Sequence, residues 1–109
     1  MQAKQLTGDL SVSPEITAAD IPAIKAAGFK SIVCHRPDGE APGQPLFSAI
    51  EASARAAGLA IRHQPIVPGQ ITEADVAAFS TLMQELPKPV FAFCRTGSRS
   101  STLWSRAAK

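Results

Sequence analysis

The sequence predicts an α/β domain, a mostly parallel sheet flanked by helices and opened by an N-terminal hairpin. Residues 90–93 are a short apolar run of the kind that forms a strand covered on both faces, and residues 29–34 and 59–63 read as further strands, the first centred on Ile32 and Val33. Segments with apolar residues at helical spacing alternate with these runs, an order that builds parallel sheets. Two strand-like runs around Thr7-Gly8-Asp9 precede the alternation and read as a hairpin.

The elements follow in order. Lys4 to Val12 holds the hairpin, which Pro14 ends. Thr17 with Asp20 has capping-box spacing, and Pro22 fits a first helical turn. Ile21, Ile24 and Ala27 then share a helical face, with Gly28 as the stop. Phe29 to Cys34 is a strand centred on Ile32 and Val33. Pro45 starts a second helix, with Phe47, Ile50, Ala54 and Ala57 on one face and Gly58 closing it. Leu59 to His63 is a strand, and Pro65 to Gln70 a loop at the same end of the sheet. Thr72 and Asp75 cap a third helix that turns Val76, Phe79, Leu82 or Met83, and Leu86 to the core. Pro87-Lys88-Pro89 stops it and leads into the last strand.

That strand, Val90 to Phe93, runs into Cys94-Arg95-Thr96-Gly97-Ser98-Arg99-Ser100 and then into helix-compatible sequence carrying Trp104, expected as a core anchor. A strand–loop–helix junction aims backbone N–H groups and the positive end of the helix dipole into one concavity. A cysteine at its lip sits in a field that favours thiolate. Arg95 and Arg99 add two cations, and Gly97 supplies the backbone freedom of a tight anion-binding turn. Phosphate ester hydrolysis and sulfur transfer both need such a thiolate beside an oxyanion cradle. Cys94 is the expected nucleophile. Arg99 closes the ring, Ser100 is a candidate hydrogen-bond donor to the sulfur, and Arg95, Thr96, Gly97 and Ser98 bind substrate.

Arg36-Pro37-Asp38-Gly39-Glu40 forms a turn after the carboxyl end of a parallel strand, where open α/β sheets place ligands. It reads equally as a solvated loop and as a wall of the site. Cys34 reads as a buried strand-end residue or as a resolving thiol for Cys94. His35 and His63 read as polar strand-end neighbours, with pairing to a carboxylate or to the thiolate as the alternative.

With 109 residues, the chain suits a single core and one domain, taken as 1–109. A net charge of +2 and the lack of a basic run interleaved with aromatics exclude a nucleic-acid partner on compositional grounds. No apolar stretch reaches membrane-spanning length, and the polar start Met1-Gln2-Ala3-Lys4-Gln5 is unlike a signal peptide. Cys34 and Cys94 are the two cysteines, with no cluster at metal spacing, so neither a disulfide framework, a metal nor any other cofactor is expected. A cytoplasmic protein with working thiols fits best.

The motif Cys94 to Ser100 resembles the active loop shared in outline by rhodanese sulfurtransferases and cysteine-dependent phosphatases. More narrowly, nearly the whole chain is similar to the bacterial DUF442 domain, also called the beta-lactamase hydrolase-like phosphatase-like domain. Leu10-Ser11-Val12-Ser13-Pro14, Gly28-Phe29-Lys30, Arg36 to Glu40, and Pro65-Ile66-Val67 before Gln70-Ile71-Thr72 carry the rest of the likeness. The resemblance implies a cysteine-phosphatase-like fold and places Arg36, Asp38 and Glu40 on a recurrent motif, which favours the turn as a wall of the site, with Arg36 and Glu40 toward substrate; for a phosphatase, Asp38 or Glu40 is the remaining candidate for the general acid. It also implies further helices after the loop, so the chain is expected to be a minimal domain or part of a fusion.

Two departures separate the chemistries. Four residues lie between Cys94 and Arg99, a rhodanese-sized gap, where the resembled phosphatases have five. Pro68-Gly69-Gln70 stands where those phosphatases place an acid. Cytosolic sulfur transfer through a Cys94 persulfide is therefore expected first, and phosphate monoester hydrolysis through a phosphocysteine second. The third reading is a noncatalytic anion-binding or redox module with a fusion or redox partner protein. The substrate in either enzymatic case is a small anion: thiosulfate, a persulfide or a phosphate ester.

Overall fold

The computed structural model describes residues 2–108; Met1 and Lys109, the outermost positions of the expected domain, lie outside the described residues. Five strands form one mixed sheet: β1 (Lys4–Thr7), β2 (Leu10–Ser13), β3 (Ser31–Cys34), β4 (Ala60–His63) and β5 (Val90–Phe93). Their order is β1-β2-β5-β3-β4, with β1 antiparallel to β2 and every other pairing parallel. The expected hairpin and parallel sheet are both present. Two strands start later than the sequence suggests: β3 begins at Ser31 rather than Phe29, and β4 at Ala60 rather than Leu59.

The four α-helices are α1 (Ile21–Ala26), α2 (Phe47–Ala56), α3 (Glu73–Glu85) and α4 (Ser98–Ala107). Thr17 and Asp20 form the expected capping box on a 3-10 turn, Ala18–Asp20, that leads into α1. Thr72 and Asp75 form another on α3, the Thr72 hydroxyl accepting from the Asp75 N–H at 3.1 Å.

The helices divide between the two faces of the sheet. Ile21, Ile24, Ile50 and Ala54 of α1 and α2 pack with Ile32, Cys34, Ile61, Phe91 and Phe93. Val76 and Phe79 of α3 and Leu103 of α4 pack with Leu10, Val12, Val33, Val90 and Ala92 on the other. Alternate residues of β5 thus serve opposite cores, as period-2 strand geometry requires. Fully buried Phe91 and Phe93 each contribute roughly 1.5–3 kcal/mol by leaving water. Trp104 is half-buried at the edge of the second core. The central position of β5 matters most. Its carboxyl end projects the 94–97 turn from the middle of the sheet, between β2 and β3.

Candidate active site

Gly97 is the N-cap of α4 with φ 92°, in the left-handed region. An added Cβ would only touch the Ser13 carbonyl, 3.4 Å away, so it is the left-handed backbone that calls for glycine. This backbone turns the Gly97 N–H onto the Cys94 sulfur at 3.0 Å. The Ser98 N–H instead turns to the Thr96 hydroxyl at 3.4 Å, and the Arg95 carbonyl accepts from Glu15 N–H, tying the loop to the segment after β2. Thr96 Oγ1 also donates to Ser98 Oγ at 3.1 Å.

Cys94 has no exposed surface (0 %). Its surroundings are not hydrocarbon alone: the Gly97 amide meets it, and the sulfur is close enough to Arg99 to be a lesser cause, after Glu40, of that guanidinium's raised pKa. The first turn of α4, with amides that lack intrahelical acceptors, begins immediately beyond.

Arg99 is nearly buried, and its position comes from outside the loop. Nη1 donates to Glu40 Oε2 and to the Ile66 carbonyl, both at 2.8 Å, and Nη2 donates to Glu40 Oε1 at 3.0 Å. Glu40 Oε1 also accepts from Arg36 Nε at 2.9 Å, and Arg36 Nη1 pairs with Glu15. Charges thus alternate along Glu15, Arg36, Glu40 and Arg99 toward the Cys94 sulfur. Hydrogen bonding from Arg99 is the main cause that holds the Glu40 carboxyl below its ordinary range; burial opposes this and Arg36 reinforces it. Hydrogen bonding to Glu40 in turn raises the Arg99 guanidinium above its ordinary value.

These contacts revise the roles expected of four residues. Glu40 is an ionised partner of two guanidinium groups, so it has no proton to give as a general acid. Arg36 and Glu40 buttress Arg99 from behind and do not line the cavity described below. Asp38 is also committed elsewhere, its Oδ1 accepting the Phe47 N–H at 2.8 Å at the start of α2. Ser100 is buried, and its hydroxyl meets His35 Nδ1 at 2.7 Å instead of the Cys94 sulfur.

The Ser100 hydroxyl has a defined direction. Gln64 Nε2 donates to the Asp75 carbonyl at 2.9 Å, so Gln64 Oε1 faces His35 Nε2 at 3.1 Å as an acceptor. His35 therefore carries its proton on Nε2, and Nδ1 accepts from Ser100. Burial is the main cause that lowers the His35 pKa to about 4, with the Arg99 charge adding to it against the Gln64 hydrogen bond. His63 donates through Nε2 to the Arg36 carbonyl at 2.9 Å and stacks on Phe47. Sequence reasoning missed Gln64 entirely, because a lone Gln at a strand end carries no signal.

Cys34 is a core thiol. Its side chain lies on the α1/α2 face beside Phe93, and its S–H donates to the Arg36 carbonyl at 3.4 Å. Burial pushes its pKa up to about 12.

Over the loop lies a cavity of about 510 Å³, walled by Pro68, Gly69 and Ile71 and floored by Arg95, Thr96, Ser98 and Arg99, with Thr102 and Arg106 beyond them. Three of the four loop residues expected to bind substrate thus line it with Arg99, while Gly97 faces the other way, onto Ser13. Arg106 and Thr102 were not foreseen, although Arg99, Thr102 and Arg106 stand at the i, i+3, i+7 spacing of one helical face. Among the described residues no group of three or more His, Cys, Asp or Glu is placed to hold a metal, and no helix is long and apolar enough to cross a membrane.

A mostly parallel sheet that offers a cysteine, a glycine-turned amide and a buried guanidinium at the carboxyl ends of its parallel strands defines a cysteine-phosphatase-like α/β domain. The chain belongs to the family described as beta-lactamase hydrolase-like protein, phosphatase-like domain, which it matches over residues 2–108. It is 42% identical over 104 residues to a beta-lactamase hydrolase-like protein of Agrobacterium fabrum, covering 95% of this chain and 24% of that protein. The chain therefore spans about a quarter of that relative's length. A candidate phosphatase of Neisseria meningitidis, solved by crystallography, superposes with TM-score 0.88 at 41% identity over 95% of this chain and 75% of that one. P. aeruginosa TpbA in complex with pTyr shares the fold at 14% identity, with TM-score 0.70 over 93% of this chain and 58% of that one.

Proposed function

We propose that this domain moves sulfane sulfur through a persulfide on Cys94. The Cys94 thiolate attacks the outer sulfur of thiosulfate, a new S–S bond forms, and the electron pair of the broken S–S bond leaves with sulfite. A thiolate acceptor then attacks the outer persulfide sulfur, takes it, and returns Cys94 to the thiolate. The Gly97 N–H and the Arg99 guanidinium hold the negative charge on sulfur throughout. Because Cys94 is fully buried, the incoming anion opens the 94–99 loop as it binds.

The disposition of carboxyl groups carries this proposal. Cleaving an alkyl phosphate needs an acid to protonate the departing oxygen, whereas sulfite departs as an anion. Glu40 and Glu15 are ion-paired with arginines, and Asp38 and Asp75 are bound to the starts of α2 and α3. Glu73 is paired with Arg106. Asp20 serves its own capping box, and Glu51 pairs with Arg55 on α2. Asp9 and Glu85 belong to the opposite end of the sheet, where the Asp9 carbonyl receives the first amide of β5.

Phosphate monoester hydrolysis is the second reading. The cavity's three guanidinium groups and the phosphatase-like family favour it. Without an acid it is confined to esters such as aryl phosphates, whose leaving group departs unprotonated.

One pair of incubations decides. Thiosulfate is expected to make the intact chain one sulfur atom heavier, in wild type and not in Cys94→Ser, and cyanide is expected to discharge the adduct as thiocyanate. Phosphate release from a phenolic phosphate, lost in Cys94→Ser and without any sulfur adduct, overturns the proposal for the second reading. Neither product, with anion binding kept in Cys94→Ser, leaves a noncatalytic binding module.

A further inference from the structure

The cavity is far larger than thiosulfate, and its cationic groups do not stop at the loop. Arg106 lies seven residues after Arg99 on the same face of α4, about 10 Å along the axis at 1.5 Å per residue. Its Nη1 is anchored on the Ile71 carbonyl at 3.0 Å, so the guanidinium has a fixed seat in the cavity wall. Its counterion is of a different kind from that of Arg99. Glu40 is 18 % exposed and held by two arginines, whereas Glu73 is 88 % exposed and meets Arg106 alone. An exposed single pair contributes little and is readily exchanged for another carboxylate. Thr102 lies between the two arginines and supplies a hydroxyl to the same surface.

We infer that Arg106, with Thr102, is a subsite for a carboxylate carried by the thiol that accepts sulfur from Cys94. The acceptor class is a small thiol whose carboxylate lies within roughly 10 Å of its sulfur, the span between Arg99 and Arg106. Its thiolate approaches over Arg99 while its carboxylate displaces Glu73 from Arg106. This inference rests on the sulfur-transfer reading for the reaction, but not for the binding.

The test compares N-(3-mercaptopropionyl)glycine with its uncharged glycinamide, two acceptors with the same thiol and different charge. Transfer from thiosulfate is expected to favour the acid over the amide by about tenfold in kcat/KM, the worth of one charge-assisted contact. Arg106→Gln should erase that ratio and Arg106→Lys restore part of it. Glu73→Gln, which removes the competing carboxylate from an exposed site, should raise it. Calorimetry with the unreactive S-methyl thioether of the acid reads the subsite without chemistry and should show about tenfold weaker binding to Arg106→Gln. Wild type without acid preference, or Arg106→Gln with an unchanged ratio and unchanged thioether binding, overturns the subsite. Thioether binding that depends on Arg106 in a protein forming no persulfide upholds the subsite and overturns only the sulfur-transfer reading.

Discussion

Both carboxylate oxygens of Glu40 bind Arg99, at 2.8 and 3.0 Å, across 59 residues of chain. Arg99 is thereby aimed by a residue outside the loop. Glu40 is a positioning residue. Glu40→Gln keeps one acceptor and loses the charge, so Arg99 and Arg36 are left repelling each other. Persulfide formation is expected to slow by about 10- to 100-fold, as for loss of one oriented charge contact. Stability should fall by about 1–3 kcal/mol, less than for a fully buried pair because Glu40 is partly exposed. Stopped-flow loading and urea denaturation measure the two separately. Loading at the wild-type rate would show that Arg99 needs no such aim.

The two thiols should behave oppositely. Cys34, with its pKa pushed up to about 12 by burial, stays protonated in neutral solution, and its hydrogen bond runs to a carbonyl rather than to Cys94. Cys34→Ala is expected to keep full sulfur transfer and to lose about 1 kcal/mol or somewhat more of stability for the emptied core volume. Thiosulfate should add a sulfur atom to Cys94 and none to Cys34 in the native protein, whereas iodoacetamide at pH 8 should label both cysteines after denaturation, which peptide mass analysis resolves. Loss of turnover in Cys34→Ala would instead make it a resolving thiol.

His35 gives the fold an acid limit. Its folded pKa of about 4 lies below the value of 6.5 expected when it is exposed, so the unfolded chain takes up the proton first. Stability is therefore full above pH 6.5, declines as pH falls toward 4, and gains no further slope from this group below that. The decline amounts to on the order of 3 kcal/mol. Denaturation midpoints across this pH range should show that slope in wild type and lose most of it in His35→Gln. An equal slope in the variant would assign the acid limit to other groups.

Gly97→Ala tests the turn itself. The substitution puts a Cβ on a backbone at φ 92°, which L side chains rarely adopt, with an expected cost of about 1–2 kcal/mol. Relaxing that strain rotates the amide that meets the Cys94 sulfur, so persulfide loading should fall further than stability does. Loading and unfolding measured on one preparation separate the two effects.

The sequence by itself determined the element order, the hairpin, both capping boxes and the turn around Gly97, because each depends on residues within a few positions of one another. Thr72 and Asp75 are three apart, and Cys94 and Gly97 are three apart. Hydrophobic period alone marked which side of α2 and α3 meets the sheet, and the loop's resemblance marked the family. Only the tertiary structure decided what surrounds the sulfur. Parallel strands β3 and β5 are neighbours in space and far apart in sequence, so His35 meets Ser100 across 65 residues and Glu40 meets Arg99 across 59. The same packing gives Asp38 to α2 and seats Arg106 on the Ile71 carbonyl. A carboxylate or an arginine looks the same in a sequence whether it faces substrate or another side chain. Which of the two it does depends on the strand order, and the local pattern of residues does not encode that order.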